Sequence, residues 1–423
     1  MDFSFFIFFV IFTFVSSKPC EISSGNEEQI LSLNKKLLRS VKEASEGPNP
    51  SLHLGLRLSQ HHSLASEKDY LLKLKKELDG IIDRSQSKLQ PITGLLALYT
   101  LALRASCEDL NSISVHGMTL LQHLKHQLHA EKEHIASSSR PLTNYYQYGL
   151  GVLALCVGGV RISSHVVHKL IQAQSNGGFM HKDILSIDTV AMAALAFQCL
   201  KESDEQYDGS QIEKALSATQ QDILNSQSDT GLFGNVFSTP LAVQALQAVG
   251  SEGALCSSAM QVLTTEIGRG TFHNPMAMSQ LLPILHYKTY LDVRSMECNG
   301  EDDSLILESR TSVVELSQES VTVRLVVEIT DASPNIYKVI VPLGSSLLDV
   351  LKELHKQKPQ EFSFETETSL WGPYLSVVNG LRARQADRTF WQLLQSPDSP
   401  LIEGISDYKI KNGDSITLRR TTW

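Results

Sequence analysis

The sequence contains no cysteine beyond Cys298, although six cysteines lie between Cys20 and that position. No two of them form a Cys-x-x-Cys pair, which argues against a structural zinc site. An even number of cysteines in an exported chain indicates disulfide bonds, and spacing alone leaves all fifteen pairings open. The uneven distribution predicts a first domain crosslinked by disulfides and a second domain without them.

Motifs of the common enzyme classes are also absent. The chain has no Gly-x-Ser-x-Gly, no His-Glu-x-x-His and no phosphate-binding P-loop. Its apolar helices carry almost no acidic residues, whereas glycoside hydrolysis and cation cyclisation need clustered carboxylates. A reactive Cys-Gly-Glu-Gln thioester motif is missing as well. We therefore predict no catalytic residues and disfavour a hydrolase, a cyclase or a thioester protein.

Positive charge is sparse. The formal net charge is −9, and the short pairs Arg382/Arg384 and Arg419/Arg420 are typical of a solvated surface. Nucleic acid is therefore not an expected partner, because its binding needs a basic patch.

Only one long apolar run is present, over residues 3–15. It is too short to span a bilayer, and small residues follow it before Lys18. This pattern predicts a signal peptide over residues 1–17, and hence a secreted, extracellular protein that does not insert into a membrane.

Helical periodicity dominates residues 18–300. The predicted helices are Asp69–Ile82, Pro91–Ala105, Thr119–Ile135, Tyr145–Val157, Ser163–Gln174, Ile187–Leu200, Ile212–Asn225, Pro240–Ala248, Ala259–Thr265 and Ala277–Tyr287. Nearly uncharged helices alternate with charged amphipathic ones, and a helix that is apolar all round must be buried. The alternation predicts an (α/α) barrel with two concentric layers. A weak repeat of Gly-containing turns that end in Phe179, Phe233 and Phe272 supports this prediction.

Beyond an acidic linker, predicted over residues 301–319, the period changes to two. Strands are predicted over Val321–Ile329, Ile336–Val341, Phe362–Glu367, Leu375–Val378, Tyr408–Ile410 and Ser415–Leu418, with a helix over Ser345–Lys356. A hairpin turn over Lys411–Asp414 should join the last two strands. Residues 320–423 are therefore expected to form a small α+β domain of the ubiquitin-like kind.

Polar residues recur at the starts of the apolar helices. They are Thr143, Asn144, Tyr145, Tyr146, Gln147, Asp188, Thr189, Asn235, Ser238, Thr239, Asn274 and Gln280. Each could serve only as a helix cap, and this is the simplest interpretation of Asp188 taken alone. Their recurrence instead favours convergence at one end of the barrel, where they would suit a large, neutral, amide-bearing ligand.

Histidines and aromatic residues allow two interpretations each. His123, His126, His129 and His134 share one charged helix and could bind zinc, but a solvated face is favoured, as for His165 and His168. Aromatic residues of the second domain could cover a ligand or simply pack in its core. These are Trp371, Tyr374, Phe390 and Trp391.

At these positions the chain resembles the cobalamin-carrier family of transcobalamin, intrinsic factor and haptocorrin. The matching stretches are Tyr145–Cys156, Asp188–Cys199, Phe233–Ala242, Ser279–Leu285, Gly372–Leu375 and Phe390–Leu394. They are spread over nearly the whole chain after the signal peptide. The chain looks most similar to the transcobalamin branch, while Trp371 is more like intrinsic factor.

The resemblance implies a barrel of six helical hairpins, with cobalamin buried between the barrel and the small domain. It also implies the disulfides Cys20–Cys256, Cys107–Cys298 and Cys156–Cys199. Carried over by position, the residues that contact cobalamin would be Thr143, Tyr146, Gln147, Asp188, Asn235, Gln280, Trp371, Gly372, Tyr374, Leu375, Phe390 and Trp391. Polar side chains would bond the peripheral amides of the corrin, and aromatic rings would cover its face.

Two positions depart from the transcobalamin pattern. Leu185 stands where that branch has a histidine that can ligate cobalt, so the cobalt is expected to keep water or its own upper ligand. His181, four residues earlier, is a second candidate for this ligand. Leu95 replaces a glutamine at the barrel mouth, and one amide contact is expected to be lost.

These features together predict a secreted, monomeric cobalamin carrier without catalytic activity. Its cargo, with cobalt held inside the corrin, and its delivery to a cell-surface receptor are implied by the resemblance. The alternative is a non-catalytic interaction protein with the same helical toroid that has lost cobalamin binding.

Overall fold

The computed structural model describes residue 20 and residues 25–43, 47–88, 91–181, 183–203, 207–250, 254–307, 319–329, 333–370, 372–384, 387–396 and 398–422. The predicted signal peptide, Trp371 and residues 308–318 of the predicted linker lie outside this description, as does the side chain of His181. Among the described residues, no helix is both long enough and apolar enough to cross a membrane.

Within the described ranges, twelve α-helices precede the second domain. They are α1 (Glu27–Glu43), α2 (Pro50–Arg57), α3 (Leu64–Lys88), α4 (Thr93–Ala105), α5 (Leu120–Ser138), α6 (Tyr145–Val157), α7 (Ser164–Ser175), α8 (Ile187–Lys201), α9 (Gly209–Asn225), α10 (Thr239–Ala248), α11 (Ala254–Arg269) and α12 (Pro275–Leu285). Each even-numbered helix packs against the next one, and α12 packs against α2, so these helices close an inner ring. The odd-numbered helices lie outside the ring, and the predicted (α/α) barrel is confirmed.

Burial explains the two layers. Every residue of α2 is buried, as is nearly all of α8, whereas the outer helix α9 buries only a stripe that includes Ile212, Leu216 and Ile223. An apolar stripe on a polar helix is typical of a helix that covers a core from outside. The predicted set of helices lacks α1 and α2. Because α2 is buried all round, no polar face marks its period, whereas α1 does carry a helical stripe through Leu33 and Leu37.

The helices α2 and α12 approach closely at Gly55. A Cβ atom added there would lie 2.7 Å from Cα and 2.8 Å from the carbonyl oxygen of Ser279. We expect Gly55→Ala to lower the free energy of unfolding by about 1–3 kcal/mol, because the backbone of a packed helix cannot yield easily. Urea denaturation measures this change.

The matched control is Gly80→Ala on the outer helix α3. There the added Cβ atom would meet only the end of the Arg84 side chain, at 3.2 Å. Alanine exceeds glycine in helix propensity by about 1 kcal/mol, so this control should be neutral or stabilising. A stabilising Gly55→Ala variant would show that propensity outweighs the close approach.

Three disulfides crosslink the barrel. They join Cys20 to Cys256, Cys107 to Cys298, and Cys156 to Cys199, which is the pairing that the resemblance implies. The last of these connects the C-terminal ends of the neighbouring inner helices α6 and α8. All three bonds precede the second domain, as the distribution of cysteines predicts.

Short elements connect the helices at both ends of the barrel. They are β1 (Ser114–Val115), β2 (Met118–Thr119), β3 (Met180–His181), β4 (Ile184–Leu185) and a 3₁₀-helix over Tyr290–Ser295. The three repeat phenylalanines, Phe179, Phe233 and Phe272, are all buried. Each of them precedes the N-terminus of an inner helix, and Phe233 N donates to Thr239 Oγ1 at 3.0 Å, tying its turn to α10.

The second domain contains β5 (Ser320–Glu328), β6 (Asn335–Pro342), α13 (Leu347–Gln357), β7 (Phe364–Ser369), β8 (Gly372–Val378), β9 (Leu381–Arg382), β10 (Thr389–Gln395), β11 (Ser399–Pro400) and β12 (Ser415–Thr422). One sheet has the strand order β11-β10-β12-β5-β6, and the other has the order β7-β8-β9. The strand β12 runs parallel to β5 and antiparallel to β10. The predicted small α+β domain is confirmed.

One strand prediction is wrong. Tyr408–Ile410 contributes only an isolated bridge, between Lys409 and Ser346, and it does not pair with β12. The antiparallel partner of β12 is β10, a strand that the sequence analysis does not predict. Lys411–Asp414 does turn, because Asp414 Oδ2 accepts from Lys411 N and Tyr408 Oη, both at 2.9 Å. That turn leads from a loop into β12.

The barrel and the second domain each have a hydrophobic cluster, and Leu370 of the second domain packs in the cluster of the barrel. Leu305 belongs to the cluster of the barrel, and its amide donates to His62 O at 2.9 Å. The first residues of the predicted linker therefore lie on the barrel. The predicted bounds of the two domains remain predictions.

Candidate ligand-binding cavity

A cavity of about 850 Å³ is lined by the N-terminal ends of the inner helices α6, α8, α10 and α12 and by loops of the second domain. The second domain contributes Ser369, Pro373, Tyr374, Arg388, Ile402, Glu403, Gly404 and Asp407. This volume lies in the upper part of the range of about 300–1,000 Å³ that is usual for small-molecule sites. The cavity can therefore hold a large ligand between two walls.

The sequence-predicted residues divide between the cavity wall and the core. Those that line the cavity are Thr143, Tyr146, Gln147, Asp188, Asn235, Gln280 and Tyr374. Gly372, Leu375, Phe390 and Trp391 are not among the lining residues. Leu375 and Trp391 are buried in the cluster of the second domain, so core packing describes them better. Side chains alternate between the faces of a strand, and only some members of an aromatic stretch can face one cavity.

Asparagine side chains at the cavity accept from backbone amides at the starts of the inner helices. Asn144 Oδ1 accepts from Gln147 N at 2.9 Å, and Asn274 Oδ1 accepts from Met276 N at 2.6 Å. Asn235 Oδ1 accepts from two amides that precede α10. These asparagines therefore bond backbone amides at the helix starts and also converge on one cavity. Asn235 does not cap α10, whose N-cap is Ser238. In all three residues the oxygen accepts from backbone N–H groups, so the amide nitrogen is the group that could donate to a ligand.

Asp188 does not cap its helix. The N-cap of α8 is Ser186, whose Oγ accepts from Thr189 N. Asp188 stands in the first turn and accepts a hydrogen bond from Ser238 Oγ at 2.8 Å, which links α8 to α10. Burial raises the pKa of Asp188 above its ordinary value, although the bond from Ser238 opposes this shift. A partly buried carboxylate with a neutral neighbour is a strong acceptor for N–H groups.

Tyr146 and Gln280 connect α6 and α12 across the wall. Both side chains are buried, and they share a hydrogen bond. Burial raises the pKa of Tyr146 well above its ordinary range, so the phenol stays neutral. This part of the wall thus offers an amide and a neutral phenol.

Thr143 is held by a residue that the sequence analysis missed. Glu131 of the outer helix α5 is fully buried, and its carboxylate accepts from Thr143 Oγ1 at 2.6 Å and from Thr143 N at 3.1 Å. Thr93 Oγ1 donates to the same carboxylate at 2.8 Å. The available signal was spacing, because Glu131 follows Leu124 and Leu128 on the buried stripe of α5.

The wall from the second domain contains charged residues that the sequence analysis also missed. His273, in the loop before α12, bonds Asp407 O at 3.1 Å and lies 3.3 Å from Glu403 Oε1. Burial raises the pKa of Asp407 to about 6, and the nearby charge of Glu403 adds to the effect. These residues lie in loops, where no periodicity points to a site.

No metal centre is found among the described residues, since no three His, Cys, Asp or Glu side chains lie close enough to hold an ion. His126 and His129 are exposed, as predicted, and so are His165 and His168. His123 is different: it is buried, and its Nε2 bonds Val115 O at 3.0 Å. The solvated interpretation is therefore wrong for His123, because its side chain turns inward to the β1–β2 hairpin.

Leu185 and Leu95 both lie outside the set of cavity-lining residues that the structure describes. Leu185 is half-buried in β4, opposite Met180, and Leu95 packs against the barrel cluster. Neither side chain offers a hydrogen bond.

The fold and the cavity define a class of protein in which an (α/α) barrel and a small β-rich domain enclose a ligand between them. A sequence profile described as eukaryotic cobalamin-binding protein matches residues 2–319 of the chain. A second profile, for a domain of unknown function called DUF4430, matches residues 344–422. The chain belongs to the eukaryotic cobalamin-binding protein family.

Individual relatives agree with this assignment. Transcobalamin-2 of Rattus norvegicus is 40% identical over 95% of this chain and 94% of its own length. Transcobalamin-2 of Bos taurus is 38% identical over 96% of this chain and 95% of its own length. The crystal structure of haptocorrin in complex with Cbi aligns with a TM-score of 0.74 and 29% identity, over 96% of this chain and all of that one.

Proposed function

We propose that this protein is an extracellular carrier of cobalamin and has no catalytic activity. The observation that carries this proposal is the cavity between the barrel and the second domain, which has walls from both. Family membership supports the choice of ligand, and the neutral polar groups of the wall suit the peripheral amides of a corrin. A ligand held between two walls loses most of its contact with water, which favours high affinity.

The proposed contacts follow from the cavity wall. Thr143, Gln147, Asn235 and Gln280 would bond peripheral amides of the ligand, together with Asp188. Tyr146 and Tyr374 would add aromatic surface, and Trp371 is retained as a proposed contact from the second domain. We assign a supporting role behind that wall to Gly372, Leu375, Phe390 and Trp391, since they are not among the lining residues.

The test of the proposal is binding of aquo-cobalamin by the secreted protein, followed by removal of free ligand on a gel-filtration column. We expect the corrin absorbance to co-elute with the protein at one ligand per chain. Absence of co-elution would favour an interaction protein that has lost cobalamin binding.

A cavity-blocking variant makes this test specific. Gly404 lines the cavity and is exposed, so Gly404→Trp should obstruct the ligand without filling the core. Gly209→Trp is the control, since Gly209 is exposed at the start of α9 with no atom within 4 Å of an added Cβ. We expect co-elution to be strongly reduced only in the first variant.

The cobalt is proposed to keep its water ligand in the complex. Leu185 has no donor atom, and it lies half-buried in β4, outside the set of described cavity-lining residues. The visible bands of bound aquo-cobalamin should therefore stay close to those of the free compound. A red shift that His181→Ala abolishes would contradict this prediction and identify His181 as the ligand.

Delivery to a cell-surface receptor and a monomeric state complete the proposal. The signal peptide predicted over residues 1–17 supports export. N-terminal sequencing of protein secreted by cultured cells should begin at Lys18, and light scattering should give the mass of one chain.

A further inference from the structure

Two hydroxyl groups at the cavity wall, those of Thr143 and Ser238, donate to carboxylate groups of the protein. Thr143 Oγ1 donates to Glu131 Oε1 at 2.6 Å, and Asn144 O lies at the longer distance of 3.4 Å. A hydroxyl carries a single proton. Toward the cavity, Thr143 Oγ1 can therefore only accept a hydrogen bond.

The carboxylate of Glu131 accepts hydrogen bonds from several donors at once. Three donors face it, from Thr93 Oγ1, Thr143 Oγ1 and Thr143 N. The backbone N–H is a donor that cannot reverse, and the side chain of Glu131 is fully buried on α5. Reversal of either hydroxyl would leave a buried carboxylate oxygen short of a donor, which is unfavourable.

A second hydroxyl at the wall has the same polarity. Ser238 Oγ donates to Asp188 Oδ2 at 2.8 Å, and both residues line the cavity. The carboxylate of Asp188 is itself an acceptor. The cavity wall thus includes three acceptors, on Thr143, Ser238 and Asp188.

From this arrangement we propose that Glu131 is a positioning residue that fixes the Thr143 hydroxyl as an acceptor. The wall then selects ligand edges that present N–H groups over edges that present a carboxylate. The inference rests on the proposed function, and it specifies which chemical change in a corrin this site rejects. Hydrolysis of a peripheral carboxamide replaces an NH₂ donor with a charged acceptor, and an acceptor cannot bond Thr143 in this state.

Other charges at the cavity have to be considered. Glu403 and Asp407 add negative potential from the second domain, whereas Arg140 and Arg388 would attract a carboxylate. The prediction therefore concerns the propionamide that reaches Thr143, not the ligand as a whole. If that propionamide becomes a propionate, its oxygen and Thr143 Oγ1 are both acceptors, and binding should weaken by roughly tenfold or more.

The test compares dissociation constants for cyanocobalamin and for cobalamins in which a single propionamide is hydrolysed to a propionate, each measured separately. Wild-type protein should bind at least one of these acids roughly tenfold more weakly than cyanocobalamin. In Glu131→Gln the Thr143 N–H retains the amide oxygen, so the new amide nitrogen faces the hydroxyls and turns their protons outward. The discrimination ratio for that acid should fall toward one.

Matched variants test whether Glu131 orients the Thr143 hydroxyl or only stabilises the wall. Glu133→Gln, on an exposed side chain two residues away on the same helix, should leave the ratio unchanged. Thr143→Ser should retain the ratio, because the hydroxyl remains, whereas Thr143→Val should lose it. The two threonine variants keep the test decisive if Glu131→Gln fails to fold.

Several outcomes would overturn the inference. A wild-type ratio near one for every acid would do so while leaving the proposed function intact. If the discrimination ratio keeps its wild-type value in Glu131→Gln or in Thr143→Val, another group distinguishes the amide from the acid. If Glu131→Gln weakens the binding of cyanocobalamin and of the acid equally, Glu131 has only a structural role. If wild-type protein binds no cobalamin, the proposed function fails first and the inference fails with it.

Discussion

Replacement of Arg57 by methionine is expected to lower the free energy of unfolding by about 3–5 kcal/mol, because it leaves buried carboxylates without their cation. The Arg57 side chain is only 4% exposed, and its Nη1 lies 2.9 Å from Glu67 Oε2. Its Nε donates to Ala105 O at 3.1 Å, and its Nη2 pairs with Glu301. One guanidinium thus joins α2, α3, the end of α4 and the segment after Cys298.

The state of Glu67 shows why this loss should be large. Burial alone would raise the pKa of its carboxyl, but hydrogen bonds and positive charge from His62 and Arg57 outweigh burial and hold the pKa at about 2. Glu67 is therefore ionised at neutral pH while 2% exposed. Without Arg57, a buried anion keeps only its weaker partners.

Urea denaturation of Arg57→Met against wild-type protein measures this effect. The control is Arg84→Met, because Arg84 and Glu77 form an exposed pair, with side chains 56% and 41% accessible. Exposed pairs contribute at most about 1 kcal/mol. The double variant Arg57→Met with Glu67→Leu should regain part of the stability, since it removes the orphaned charge as well. A loss below about 1 kcal/mol in Arg57→Met would mean that water or His62 replaces the guanidinium.

Acidification from pH 7 toward pH 4 is expected to destabilise the barrel through two buried histidines. Burial lowers the pKa of His53 to about 4, with Glu67 opposing and Arg57 assisting the shift. Burial lowers the pKa of His286 to about 4 as well, and His61 and His62 assist. Both rings are neutral in the folded protein, and His286 Nε2 lies 3.1 Å from Asn34 Nδ2.

The direction of this effect follows from proton linkage. Above about pH 6.5 the histidines are neutral in both folded and unfolded chains, so they contribute nothing. Between about pH 6.5 and pH 4 the unfolded chain binds protons that the folded chain excludes, and stability falls as the pH falls. The loss approaches roughly 3 kcal/mol per histidine near pH 4. Glu67 adds a further loss only below its ordinary pKa of 4.5, down to about pH 2.

Thermal unfolding followed by circular dichroism between pH 7.5 and pH 4.5 measures this dependence. His53→Gln and His286→Gln should each flatten the decline in melting temperature, because glutamine does not titrate. His126→Gln, on the exposed face of α5, should leave the slope unchanged. If both buried variants retain the wild-type slope, the acid sensitivity has another origin.

The sequence pattern predicts some helices and strands well and misses others. Tyr145–Val157 was predicted with the bounds that the structure has, because its apolar run follows a polar cap at Asn144. The helix α2 was not predicted, since burial on every side removes the periodic contrast on which such predictions depend. Tyr408–Ile410 was predicted as a strand on local propensity, but β10 supplies the pairing that β12 needs. Strand partners are set by contacts distant in sequence, which local patterns do not contain.

The candidate site shows the same division. Thr143, Asp188 and Asn235 could be chosen from sequence because they precede apolar helices, and they all line the cavity. For Trp391 the sequence leaves core packing open, and Leu375 is implied only by the resemblance; the structure places both in the core of the second domain. Spacing marks Glu131 as buried on α5, but nothing near it in sequence indicates that it meets Thr143. Nor does anything near Asp407 indicate that it meets His273 of the barrel.

By itself, the sequence of this protein determined the alternation of buried and amphipathic helices, the change to a β-rich second domain, and the polar residues at the helix starts. These properties are local, since each depends on side chains a few positions apart. Only the tertiary structure decided which residues share the cavity and which polar groups bond one another at its wall, and it confirmed the cysteine partners that spacing alone left open. These depend on contacts between segments far apart in sequence, such as Cys20 and Cys256, which are 236 residues apart, and packing in three dimensions sets them.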